Sequence, residues 1–130
     1  MRLDTTSLER AVSSLESGYA RHLEQPADEL ARDGVVQRFE YTYELVVKFV
    51  RRQVAEDAAD PESVRSAGFA DVVRSGLASG LLASSVEEWR RFRDLRARTS
   101  HTYDEAEAAK VVRAVPGLLA EARHLLERLR

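Results

Sequence analysis

Apolar residues recur at every third or fourth position along nearly the whole chain, and no stretch alternates as a half-buried strand would. This spacing places the apolar side chains on one face of an α-helix. The 130 residues, without any repeat or linker, suit one domain with its own core. The sequence therefore predicts an all-α protein, a single domain over residues 1–130. We expect an antiparallel bundle of about five helices with a four-helix up-and-down core.

Capping signals and prolines mark where the first two helices begin and end. Thr6, with Glu9 three residues later, predicts a capping box at the start of the first helix. Pro26 is expected to end that helix, because proline has no amide hydrogen to donate. A long second helix is predicted from about Asp28 to Glu56, where apolar residues share one face.

The second half of the chain predicts shorter helices and one long terminal helix. Asp60-Pro61 has the form of a helix start, and the segment after it forms either one helix or two that are broken at Gly68. Ser85 begins another capping box. Asp104 is expected to cap the last helix after a polar run.

Composition limits the kinds of chemistry available to the chain. It contains no cysteine, which excludes disulfides, thiolate metal sites and cysteine nucleophiles. The net charge of −2 gives no overall basic field for nucleic acid. No apolar run approaches the roughly 18 residues that span a membrane, and the N-terminus does not resemble a signal peptide. We therefore expect a cytoplasmic protein with no membrane or DNA partner.

The polar run that begins at Arg96 is the segment that can support chemistry. Arginine can hold a phosphate through two parallel hydrogen bonds, and histidine exchanges protons near neutral pH. Arg96 and His101 together could cleave RNA without a metal, with the 2′-hydroxyl as nucleophile. Five residues separate them by about 140° on a regular helix, so they converge only if the helix ends between them or if two subunits meet. The simpler interpretation is an ordinary polar turn.

Two other histidines make no metal-ligand spacing with His101. His22 lies near the end of the first helix and His124 among the leucines of the last. We interpret both as structural. The sequence also has no glycine-rich nucleotide loop, so it predicts neither a metal nor a cofactor.

Two blocks of sequence resemble a known family. The pattern Arg-x4-His-x-Tyr, formed by Arg96, His101 and Tyr103, resembles the HEPN signature of toxin–antitoxin modules. The string at residues 99–105, Thr-Ser-His-Thr-Tyr-Asp-Glu, is similar to the branch of nucleotidyltransferase substrate-binding proteins. Residues 33–45 are similar to the long helix of that branch.

The resemblance implies a five-helix homodimer that is encoded beside a minimal nucleotidyltransferase and forms a two-component complex with it. It also implies a metal-independent RNase site in the dimer cleft, where Arg96 clamps phosphate and His101 transfers protons. In some family members the partner attaches AMP to the motif tyrosine, a role that would fall to Tyr103. The family usually has asparagine after the motif arginine; here it is Ala97, which weakens the RNase expectation.

Further residues are expected to line or support the cleft, and the resemblance gives them this role. Arg98 can compensate for Ala97 or bind phosphate itself. An ordinary solvated helix face explains the members on the second helix about equally well. The supporting set comprises Gln37, Glu40, Tyr41, Glu44, Arg98 and Ser100.

Three functions stay open at this point. The first is a binding module for the nucleotidyltransferase. The second is an RNase toxin that uses Arg96 and His101, has RNA as its substrate and is silenced by AMP transfer to Tyr103. The third is a purely structural helical adaptor, whose complexes would not depend on these three residues.

Overall fold

The computed structural model describes residues 3–99 and 104–130, and this part of the chain forms six α-helices and no strand. The predicted all-α class is confirmed. The six elements are α1 (Thr6–Glu24), α2 (Glu29–Asp57), α3 (Pro61–Arg65), α4 (Phe69–Ala78), α5 (Val86–Ala97) and α6 (Glu105–Leu129).

Four of the helices run up and down in sequence, as polar contacts between them show. On α1 and α2, Ser14 contacts Tyr41, whereas the earlier Ala11 contacts the later Thr42. An early residue of one helix therefore faces a late residue of its neighbour, which defines an antiparallel pair.

The α5–α6 pair follows the same rule. Trp89 contacts Glu121, and Arg98, nine residues after Trp89, contacts the earlier Glu107. The core of α1, α2, α5 and α6 is thus the predicted up-and-down arrangement, and α3 and α4 pack on α2.

Side-chain caps fix most helix starts. Asp28, Asp60, Ser85 and Asp104 each accept a hydrogen bond from an amide in the first turn of α2, α3, α5 and α6 respectively. The chain after Asp60 forms two helices, because α3 ends at Arg65 and α4 begins after Gly68. This second short helix brings the number of helices to six in the described residues.

The capping box predicted at Thr6 is wrong. Thr6 is already helical, and Thr5 before it makes no side-chain cap bond. The carboxylate of Asp4 accepts hydrogen bonds from the Thr6 amide at 3.0 Å and from its hydroxyl at 2.7 Å. Because that hydroxyl donates to Asp4, the aspartate supplies the acceptor at this end.

The core is continuous between the helices and is richest in aromatic rings around α5. Trp89 and Phe92 meet edge to face, with ring centroids 5.1 Å apart. The largest fully buried side chains are Trp89, Phe39, Phe92, Leu8, Leu15, Leu118, Leu125, Val35, Val46, Val50, Val72 and Val73. Within the described ranges, no helix is long and apolar enough to cross a membrane.

Side chains of α6 form hydrogen bonds to the loop between α4 and α5. Gly80 has φ +79°, a left-handed conformation that favours glycine, and its carbonyl accepts from Arg128 Nε at 3.0 Å. The same carbonyl lies 2.8 Å from His124 Nε2. His124 therefore has the structural role that the sequence predicts.

Candidate functional site

Arg96 lies in the last turn of α5 and joins that helix to α2. Its Nε and Nη2 atoms donate to Glu44 Oε1 at 2.8 and 2.5 Å, and Nη2 lies 3.5 Å from Glu40 Oε1. The side chain of Arg96 is 33% exposed, so solvent still reaches the guanidinium. We call Arg96, Glu40, Glu44 and Thr99 the α2–α5 polar cluster.

Thr99 completes this cluster just beyond the end of α5. Its hydroxyl lies 2.7 Å from Glu40 Oε2 and 2.8 Å from the Arg96 carbonyl. Since a hydroxyl has one hydrogen, it donates to one of these oxygens at a time. Thr99 is not among the site residues predicted from the sequence. The available signal was the pair Glu40 and Glu44, like charges four residues apart on α2, which nearby donors or cations stabilise.

The remaining α2 residues predicted to support the cleft do not share one neighbour. Glu40 and Glu44 face α5, whereas the Tyr41 hydroxyl lies 2.6 Å from Ser14 Oγ on α1. Adjacent positions on a helix point about 100° apart, which separates Tyr41 from Glu40. Gln37 is exposed and has no hydrogen-bond partner in the part of the chain that is described.

Arg98 faces the other side of the helix end. Its Nη1 lies 3.5 Å from Glu107 Oε2 on α6. The Oε1 atom of Glu107 in turn lies 3.3 Å from Lys110 Nζ. Arg98 and Arg96 therefore contact different helices and do not form one anion site in this arrangement.

A helix end after Arg96, one of the two arrangements that would let the motif residues converge, is present. α5 ends at Ala97, and α6 begins after its cap Asp104, so no regular helix connects Arg96 to the rest of the motif. Ser100, His101 and Tyr103 were predicted as site residues and lie outside the described residues. Their roles stay predictions.

The charges of the cluster determine how Arg96 can act. Hydrogen bonding to Glu44 is the largest influence, and it raises the pKa of Arg96 above its usual value. The guanidinium is therefore always charged, but two carboxylates surround it. Glu44 occupies the Nε–Nη2 edge of Arg96, so a phosphate that leaves this ion pair intact would approach through Nη1, which has no partner among the described residues.

Tyr43 lies near the cluster, and its phenol makes the stability of the protein depend on pH in the alkaline range. It is 7% exposed, and burial is the largest of the influences that raise its pKa to about 12. The unfolded value is near 10, so stability is highest below pH 10 and falls as the pH rises toward 12. We expect a loss of about 2–3 kcal/mol in unfolding free energy over that range.

Urea denaturation at several pH values measures this effect against the variant Tyr43→Phe, which shares every other titrating group. The loss should be visible in the difference between the two proteins. Parallel pH profiles for both proteins would contradict the assignment.

No group of three or more His, Cys, Asp or Glu side chains suited to hold a metal occurs within residues 3–99 and 104–130. The donors of the cluster are a guanidinium and a hydroxyl, which suit anions and carboxylates. The chemistry that this arrangement offers is therefore ion pairing and hydrogen bonding.

Sequence comparisons identify similar proteins over most of the chain. A family model described as "Nucleotidyltransferase substrate binding protein like" matches residues 3–130. A Haemophilus influenzae protein named probable ribonuclease HepT is 39% identical over 97 residues, which are 75% of this chain. The match spans 66% of that relative, just under two thirds of its length.

Two solved structures have the same fold. One is a Haemophilus influenzae protein described as revealing the fold of a substrate-binding domain of a nucleotidyltransferase. It is 32% identical with a TM-score of 0.90, over 98% of this chain and 99% of the other. The second, from Thermus thermophilus, is 32% identical with a TM-score of 0.74, over 95% and 98% of the two chains.

Proposed function

Because the chain belongs to the family of nucleotidyltransferase substrate-binding proteins, we propose that it is the HEPN-type partner of a minimal nucleotidyltransferase encoded nearby. The two proteins form a two-component complex of toxin–antitoxin type in the cytoplasm, and this chain enters it as a homodimer. The observation that carries the proposal is the family match, which spans residues 3–130.

The negative charge of the α2–α5 polar cluster supports a binding role more than a catalytic one. Its single cation, Arg96, is shared between Glu40 and Glu44, so the cluster has an excess of negative charge. Such a surface suits recognition of a protein more readily than capture of a free phosphate, which two carboxylates repel.

The partner enzyme is proposed to act on Tyr103. The phenolic oxygen attacks the α-phosphorus of ATP, forming a P–O bond as the bond to the β-phosphate breaks. Pyrophosphate leaves and the phenol proton passes to solvent or a base. The product carries a bulky anion two residues from His101, where it would obstruct the motif.

Co-expression with the neighbouring nucleotidyltransferase tests this function. We expect the two proteins to co-purify and to remain associated at micromolar concentration. Intact mass after incubation with ATP should rise by whole AMP units in the wild type and not in Tyr103→Phe. Tyr19→Phe is the matched control and should gain mass normally. Absence of both the complex and the mass gain would contradict the proposal.

A second function, metal-independent RNA cleavage, is favoured by one specific observation. The relative named probable ribonuclease HepT is 39% identical to this chain. In this mechanism a 2′-hydroxyl attacks the adjacent phosphorus and the 5′-oxygen leaves. His101 transfers protons, and Arg96 stabilises the charge that develops on the phosphoryl oxygens. Both functions can belong to one protein, because a toxin that is silenced by modification must bind its modifier.

A further inference from the structure

A groove with an apolar floor runs along the second half of α2. Its volume is about 690 Å³, and Val47 and Ala55 on α2 with Leu3 beside them form the apolar floor. It borders the α2–α5 polar cluster, because Glu44 lines both. Its size suits several side chains of a bound segment, not a single small ion.

Cations dominate the rim of this groove. Lys48, Arg51, Arg52 and Arg65 line it together with two glutamates. Arg51 is already engaged within the fold, because its Nη1 donates at 2.6 Å to the carbonyl of Ala67, which follows α3 in the chain. Lys48 and Arg52 extend the positive charge along the rim.

Two of these cations have no partner among the described residues. Lys48 and Arg52 are exposed and make no ion pair or hydrogen bond within residues 3–99 and 104–130. They lie four residues apart on α2, so their like charges are neighbours, with Glu44 and Glu56 one turn further on either side. The side chain of Arg65, on α3, donates to the exposed Glu62 at 3.0 Å. An anionic ligand would relieve the repulsion between Lys48 and Arg52.

The floor of the groove favours a protein ligand over RNA. Single-stranded RNA binds by stacking its bases on exposed aromatic rings. Among the described residues that line the groove, Tyr43 is the one aromatic. Only 7% of it is exposed, and its ring centroid lies 6.0 Å from that of Trp89, so its face is not open to a base. Aliphatic side chains below a cationic rim match a helix that carries apolar residues on one face and carboxylates beside them.

We propose that this groove docks an acidic amphipathic segment of the nucleotidyltransferase, an inference that rests on the function proposed above. Apolar side chains of the segment lie on Val47 and Ala55. Two of its carboxylates, one helical turn apart, pair with Lys48 and Arg52. Docking there places the partner next to Glu44, and therefore next to Arg96.

The test compares a double charge reversal in the groove with a matched reversal elsewhere. The groove variant is Lys48→Glu with Arg52→Glu. The control is Arg90→Glu with Arg113→Glu, which changes the net charge by the same amount. Arg90 and Arg113 are exposed and have no partner in the described part of the chain. Circular dichroism establishes that each variant is folded before binding is measured.

Calorimetry with the neighbouring nucleotidyltransferase gives the first measurement. We expect the groove variant to bind about tenfold more weakly and to lose part of the salt dependence, while the control binds like the wild type. Equal binding by the groove variant overturns the docking site and leaves the proposed function intact.

Fluorescence anisotropy with two probes separates the remaining outcomes. One probe is a synthetic amphipathic peptide with paired glutamates, and the other is an oligouridylate of the same charge. Binding of the peptide that the groove variant loses supports the docking site, even if the nucleotidyltransferase itself does not bind and the proposed function fails. Groove-dependent binding of the oligouridylate alone overturns the docking site in favour of an RNA surface.

Discussion

Replacing Arg96 with alanine is expected to lower RNA cleavage by about 10²–10³-fold, provided that the chain is the RNase of the second proposed function. The guanidinium is the only cation of the α2–α5 polar cluster, and Glu44 already holds it in a fixed orientation. A group that is oriented in advance stabilises developing charge without a reorganisation cost. Arg96→Lys keeps the charge but not the two-point geometry, so its activity should be intermediate.

Cleavage of a labelled oligoribonucleotide in EDTA measures this effect. Arg90→Ala, on the same helix and exposed, is the matched control and should retain full activity. Unfolding free energy should change by less than about 1 kcal/mol in Arg96→Ala, because the ion pairs that it loses are partly exposed. If the wild type cleaves and Arg96→Ala cleaves equally well, the assigned role is wrong. If the wild type does not cleave, the RNase function is wrong.

Replacing Glu121 with alanine is expected to lower the free energy of unfolding by about 3–5 kcal/mol. Glu121 is 2% exposed, and its carboxylate accepts from the amides of Ala83 and Ser84 and from the Trp89 indole at 2.7 Å. Alanine would leave these donors without a partner. It would also leave a cavity beside the tryptophan. Glu121→Gln keeps the shape and one acceptor, so we expect a smaller loss, about 1–3 kcal/mol.

Urea denaturation monitored by tryptophan emission measures both variants. Trp89 is the only tryptophan in the chain, so its emission reports directly on this contact. Glu127→Ala, an exposed position on the same helix, is the control and should change stability by less than about 0.5 kcal/mol. A loss below about 1 kcal/mol in Glu121→Ala would show that the α4–α5 loop does not depend on this carboxylate.

Glu121 and Glu127 differ in burial, and the sequence does not predict this difference. Both are glutamates on α6, yet one is buried and the other exposed. Periodicity predicts which side of a helix is apolar, and Glu121 lies beside that stripe. It does not predict that a loop 37 or 38 residues earlier in the chain will present amide donors to the carboxylate. The spacing of apolar residues did predict the four main helices, and an antiparallel bundle was their expected arrangement.

Sequence alone determined the features that depend on neighbours within about four residues. Apolar periodicity fixed the all-α class, and the caps Asp28, Ser85 and Asp104 fixed helix starts because each bonds an amide of its own first turn. It also indicated the break after Arg96. Only the tertiary structure decided which partner each polar side chain has, as between Arg96 and Glu44, which are 52 residues apart. That pairing depends on how α2 and α5 pack, a property of the whole bundle that no local pattern contains.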